Sequence, residues 1–338
     1  MSTWSQPRPG DVIGGRYRVE ALLGEGGVSV VLAAVHQALQ QRVAIKILQP
    51  HFTPSRQLQE RFFREGRALA KMQGRHVARV FDVGVLDGGF PYLVLEHLDG
   101  LDLRQLVERD GPIPWPRAVR YLTEACEGLC EAHQLGIWHR DLKPSNLFLS
   151  ADASGRGVIK ILDFGLAKLT EEGSSNLTDA GAVMGTPAYM SPEQIKGLAG
   201  SDARSDVWSL GVTLYELLTA HLPFEDTNAT KTAHVVLASP PTPLARPGLV
   251  LPPGLEDVVN RCLVKDPNAR LQTAEGLLSL LHHFKSSDPE PAIRLGPGPA
   301  KAAESAGETA PRESTYGGML PSSPERDSDA DQTLLKLR

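Results

Sequence analysis

His139-Arg140-Asp141-Leu142-Lys143-Pro144-Ser145-Asn146, with Asp163-Phe164-Gly165 downstream, gathers a carboxylate, an ammonium, an amide and a second carboxylate into two short segments. That set of groups suits one kind of chemistry. A carboxylate can accept the proton of an attacking hydroxyl, and a lysine can face charge that develops on a phosphoryl group. Amide and carboxylate oxygens suit a hard cation such as Mg²⁺. Ordinary loop charges do not account for all three at this spacing.

Upstream, Leu23-Gly24-Glu25-Gly26-Gly27-Val28-Ser29-Val30-Val31 is a glycine-rich turn between two β-type segments. Glycine has no Cβ, so its backbone N–H can approach a phosphate oxygen closely. Alone, such a cluster also reads as a plain hairpin. Val43-Ala44-Ile45-Lys46 then places a lysine on the next strand with its stem among apolar residues. Glu65, on the following helical stretch, is placed to pair with Lys46 and turn its ammonium toward α and β phosphates.

With these motifs in this order, the chain resembles the eukaryotic-type serine/threonine protein kinases, closest in style to the bacterial branch. The likeness runs from about Tyr17 to Phe284. It implies a bilobal α+β fold, with a small antiparallel β lobe carrying one helix and a larger, mainly α lobe. It also implies ATP as phosphoryl donor, with Mg²⁺ or Mn²⁺. Asp141 would be the catalytic base and Lys143 would touch the transferred phosphoryl. Asn146 and Asp163 would hold the metal, and Lys46 with Glu65 would brace ATP.

The same resemblance makes Leu95-Glu96-His97-Leu98 the hinge, with backbone groups of Glu96 and Leu98 on adenine and Leu95 as gatekeeper. Asp102, six residues past Glu96, would reach the ribose hydroxyls. Leu23, Val31, Ala44 and Phe148 would sandwich the purine, although apolar residues there serve equally well as generic core. Gly24 and Gly26 would approach the phosphates. Ser29 stands where the third glycine of the pattern falls, which predicts a modest change in ATP affinity.

Gly185-Thr186-Pro187-Ala188-Tyr189-Met190-Ser191-Pro192-Glu193 resembles the end of an activation segment, with Glu193 expected to pair with Arg270 and Asp206 to anchor the catalytic loop. Lys143 and Thr186 match serine/threonine rather than tyrosine kinases. Ser145 argues against a strongly basophilic preference. Arg140, beside the catalytic aspartate, implies control by phosphorylation of that segment. Thr178 is the preferred acceptor, with Ser174, Ser175 and Thr186 as rivals.

Short β-type runs over 17–48 and 77–96, with one helical stretch over 55–72 between them, give way beyond Leu101 to helical spacing, most clearly over 116–135, 203–219, 255–264 and 273–284. We therefore expect a flexible N-terminus over 1–16, a kinase domain over 17–284 with lobes 17–98 and 99–284, and a disordered tail over 285–338 rich in Pro, Gly and Ser.

The chain has 338 residues, 41% hydrophobic and 22% charged, with a formal net charge of −5. This is an ordinary globular balance with no basic surplus, so nucleic acid is not an expected partner. Three cysteines cannot form a disulfide framework, and no apolar run approaches the roughly 18 residues of a spanning helix. The expected setting is the cytosol, and the expected partners are proteins with Ser or Thr acceptors. Two other readings compete. A pseudokinase scaffold would lack one of Lys46, Asp141, Asn146 and Asp163, and a small-molecule phosphotransferase would lack the segment that receives a polypeptide.

Overall fold

The computed structural model describes residues 4–26, 28–49, 56–152, 155–164, 187–197, 201–244 and 249–284. Apolar, β-branched runs early in the chain form strands β1 (Val12–Ile13), β2 (Tyr17–Glu25), β3 (Ser29–His36) and β4 (Gln41–Leu48). Helix α1 (Arg56–Leu69) follows, then β5 (Val80–Val85) and β6 (Pro91–Glu96). The six strands make one antiparallel sheet in the order β1-β2-β3-β4-β6-β5. Val19, Leu32, Ile45 and Val94 are buried in its core, and α1 packs on it through Phe62 against Leu48 and Leu93.

The register fixes where the functional side chains fall. Val31 pairs with Lys46 across β3 and β4, and Val43 pairs with Glu96 across β4 and β6. Residues 4–16, expected from sequence to be a flexible N-terminus, include β1. β1 pairs with β2, and the Trp4 ring packs edge-on against Phe90 with centroids 4.6 Å apart. Burying an aromatic surface and completing a sheet edge are enough to order a short lead-in.

Beyond the sheet come β7 (Gly100–Asp102), α2 (Leu103–Asp110), α3 (Trp115–Gln134), β8 (Leu147–Ala151) and β9 (Gly157–Ile161). Strands β7, β8 and β9 form a second small antiparallel sheet. Helices α4 (Pro192–Ile195), α5 (Ala203–Thr219), α6 (Ala229–Ala238), α7 (Leu255–Cys262) and α8 (Ala274–Leu281) complete the helical part. No described helix is long and apolar enough to cross a membrane.

Helix α5 is the centre of this part, because every residue from Ser205 to Thr219 is buried. A helix covered on all sides belongs in a core. Asp202 caps its first turn by accepting the Arg204 N–H at 2.9 Å, and Ala220 ends it in the left-handed region at φ 55°. Trp208 stacks on Phe224 at 5.4 Å.

The two parts are tied together behind α1. Glu131 of α3 accepts the N–H groups of Gln73 at 2.7 Å and Gly74 at 3.0 Å, just past the end of α1. A Cβ on Gly74 would meet the Glu131 carboxylate at 2.3 Å, so the bare backbone lets the two approach.

Candidate active site

The segment between α3 and β8 carries Asp141, and its shape is set from below by one buried acid. Asp206, in the first turn of α5, is fully buried and accepts the His139 N–H at 2.8 Å and the Arg140 N–H at 2.7 Å. His133, near the end of α3, donates Nε2–H to the same carboxylate at 2.9 Å. These bonds hold Arg140 in the left-handed region at φ 67°, a conformation that costs energy in a non-glycine residue unless its surroundings impose it.

Around Asp141 the side chains converge. Lys143 Nζ donates to Asp141 Oδ2 at 2.8 Å, and Asn146 Nδ2 donates to the Asp141 carbonyl at 2.7 Å. The Asn146 amide therefore spends its donors on Asp141, and neither of these bonds uses its side-chain oxygen.

A second strained residue faces this loop. Asp163, two residues past β9, has φ 59°. His139 donates Nε2–H to the Leu162 carbonyl at 2.7 Å, and its ring lies 4.8 Å from Phe164. Leu162 N–H donates to the Asn146 carbonyl at 2.9 Å. Asn146 and Asp163, far apart in sequence, are thus joined through adjacent backbone.

From the sheet, Lys46 projects down with only 3% of its surface exposed, and its Nζ lies 2.5 Å from Asp163 Oδ1. Burial pushes the Asp163 carboxyl up. The Lys46 charge and hydrogen bond, helped by His139 and Lys143, outweigh this and hold it below its ordinary value. Glu65 lines the same cavity as Lys46 and Asp163, together with Leu95, Leu162 and Phe164. Lys46 forms an ion pair with Asp163, and Glu65, the partner expected from sequence, lines the cavity beside both.

Of the residues expected to form the hinge, Leu95 and Glu96 end β6, and His97 and Leu98 lie between β6 and β7. The Glu96 side chain is engaged by Lys160 of β9, whose Nζ donates to both carboxylate oxygens at 3.0 and 2.8 Å. Sequence reasoning missed this pair, whose members lie 64 residues apart. His97 is largely buried, which lowers its pKa, and Arg42 adds to the effect. Leu98 is half-buried, Ala44 is buried and Leu23 is 42% exposed.

Asp102 sits directly across β7 and β8 from Phe148. Its carboxylate caps α2 by accepting the Gln105 N–H at 2.9 Å, while Gln105 Oε1 accepts the Asp102 N–H at 3.2 Å. Burial raises its pKa, and the backbone N–H groups of Gln105 and Arg104 only partly counter it.

Farther out, Arg270 grips Glu193 with both terminal nitrogens at 2.7 and 2.9 Å, and Ser205 Oγ donates to Glu193 Oε1 at 2.7 Å. Arg140 NH2 donates to the Ser201 carbonyl at 3.0 Å, while Arg140 Nε and Ser201 Oγ are buried with no hydrogen-bond partner among the described residues. Thr178, Ser174, Ser175 and Thr186, the expected phosphorylation sites, lie outside the described residues, as do Gly27, Gly165 and the tail over 285–338.

Comparison with known proteins places the chain in a family. A sequence family described as the protein kinase domain matches residues 17–283. The serine/threonine-protein kinase pkn3 of Myxococcus xanthus is 36% identical over 306 residues, covering 89% of this chain and 55% of its own length. PknB of Mycolicibacterium smegmatis is 38% identical over 262 residues, covering 77% of this chain and 41% of its own length. The chain spans about half the length of the curated relatives it matches. Among solved structures, the kinase domain of PknI from Mycobacterium tuberculosis is similar, with a TM-score of 0.64 and 25% identity, covering 82% of this chain and 99% of that one.

Proposed function

We propose that this chain, which belongs to the protein kinase domain family, transfers the γ-phosphoryl group of ATP to serine and threonine hydroxyls of proteins. The meeting of Lys46 from the sheet with Asp163 beside the Asp141–Lys143–Asn146 loop carries this reading. We take the catalytic domain as 17–284, with lobes 17–98 and 99–284.

In the reaction, the acceptor hydroxyl gives its proton to Asp141 as its oxygen attacks the γ-phosphorus, and ADP leaves with the bridging oxygen. Lys143, already on Asp141 at 2.8 Å, is placed to face the negative charge of the phosphoryl in flight. Lys46 orients the nucleotide, with Glu65 beside it in the same cavity.

Asn146 and Asp163 would hold Mg²⁺, or Mn²⁺ in its place. The donor set fits: an amide oxygen freed by its own NH₂ bonds and a carboxylate kept ionised by Lys46 are both hard oxygens. When bound, the ion neutralises phosphate charge. Gly24 and Gly26 would lie against the phosphates, and Glu96 and Leu98 would offer backbone groups to adenine under Leu95. Leu23, Val31, Ala44 and Phe148 would enclose the purine, and Asp102 the ribose side.

Arg140 supports a reading in which autophosphorylation regulates the chain. A guanidinium nitrogen and a hydroxyl, buried and without partners among the described residues, would be satisfied by a phosphate on Thr178, or on Ser174, Ser175 or Thr186. The reaction would run in the cytosol, where ATP is abundant and the three free cysteines stay reduced.

Incubation with labelled ATP and Mg²⁺, comparing the unmodified chain with Asp141→Asn and mapping the products, tests the reading. Label on Ser or Thr that drops by at least about 10²-fold in the variant is expected. A folded chain that binds ATP but labels neither itself nor any polypeptide would refute it.

A further inference from the structure

The glycine-rich turn is fastened by a residue that no motif contains. Gly26 N–H donates to the Ser29 carbonyl at 2.9 Å, closing the turn between β2 and β3. Gln49 lies one residue past β4. Its backbone N–H donates to the Val28 carbonyl at 2.8 Å, and its side-chain Nε2 donates to the Gly26 carbonyl at 2.9 Å. One residue therefore takes two carbonyls of the turn.

Its place on the strand is equally telling. Lys46, three residues earlier, stands opposite Val31, and Leu48 stands opposite Ser29. The end of β4 thus sets both the ammonium beneath the turn and the turn itself. In a planar trans peptide the carbonyl and the N–H point in opposite directions. Engaging the Val28 carbonyl consequently turns the Ser29 N–H away from Gln49. A carbonyl oxygen held by the Gln49 amide is also not free to rotate toward an anionic ligand, where its dipole would repel phosphate.

We propose that Gln49 is a positioning residue for the nucleotide, holding the glycine-rich turn so that N–H groups rather than carbonyl oxygens meet the phosphates. This rests on the nucleotide reading of the cleft given above. The side-chain bond is the separable part, because the backbone bond to Val28 survives any substitution other than proline. Ser29, buried at the start of β3 where the pattern has its third glycine, leaves the turn less backbone freedom of its own, so an external tether determines more of its shape.

The full chain carrying Gln49→Met, which keeps the length but removes the donor, and Gln49→Ala, which removes both, is compared with the unmodified chain. Measured are ATP binding by calorimetry with Mg²⁺, steady-state constants for ATP and for a protein substrate, and the melting temperature. Loss of one neutral hydrogen bond predicts a rise in KM for ATP of about fivefold in both variants. The kcat and the KM for protein substrate should stay within about twofold, the pattern of an interaction made equally in ground and transition states. Unchanged ATP affinity in both variants would overturn the proposal. So would a lower kcat that simply follows a lower melting temperature with KM for ATP intact, since Gln49 would then be structural only. An unmodified chain that fails to bind ATP at all would instead remove the nucleotide reading itself.

Discussion

Lys46 and Asp163 are each other's counterion, 2.5 Å apart, and they come from the two halves of the fold. Replacing Lys46 with Met leaves Asp163 with burial but without the charge that offsets it, so its pKa rises. The kcat/KM for ATP should fall by at least about a hundredfold. What remains should also be lost at a higher pH on the acid side than in the unmodified chain. Rate profiles over about pH 5 to 8 check this, and an unmoved acid limb would disconnect the two residues.

Asp206→Asn puts an NH₂ group where two backbone N–H groups and His133 now donate. At least one buried donor then faces another donor. A loss of about 3 kcal/mol in unfolding free energy is expected from urea titration. Activity at a temperature where the variant stays folded should fall too, because the Asp141 loop loses its floor.

Glu193 gives a pH signature of its own. Burial would raise its pKa, but Arg270, by hydrogen bond and charge, and the Ser205 hydroxyl bring it from 4.5 to about 2. A carboxyl whose folded pKa is depressed stabilises the fold fully above its unfolded value. That stability disappears as pH falls from about 4.5 toward 2. Glu193→Gln should cost roughly 3 kcal/mol at neutral pH and flatten acid unfolding across that window. Chemical denaturation at a series of pH values measures both.

Lys160→Met leaves the Glu96 carboxylate without its counterion, holding among the described residues only the Arg79 N–H at 3.3 Å. A cost of about 1–3 kcal/mol in stability is expected, together with weaker ATP binding, because Glu96 and the strand leading to Asp163 would no longer be clamped. Calorimetric ATP titration of the variant at a temperature where it is folded separates the two effects.

The long, strongly patterned pieces were legible from sequence. β3, β4, α3 and α5 bury apolar runs whose spacing is visible by eye, and the Asp141 and Asp163 segments carry their chemistry in residue type. What escaped depended on contacts distant in the chain or on very few residues. β1 is two residues long beside glycine and proline, and α2 is only eight residues. Asp102 was read for ribose, and the structure also uses it as a helix cap, a role available to any Asp before a helical stretch. Glu96–Lys160 and Glu131 with Gln73 and Gly74 join segments whose proximity follows only from the finished packing.

The Glu131 cap has a mechanical corollary. It pins the chain just past α1 to the helical half, making residues 73–74 a fulcrum and α1 a lever. Glu65 lies four residues inside the end of α1, about 6 Å from Leu69 at helical rise. A tilt that moves its carboxylate by about 2 Å is the difference between touching an ammonium and standing clear of it. A small tilt of α1 about that pivot would therefore change how Glu65 stands to Lys46.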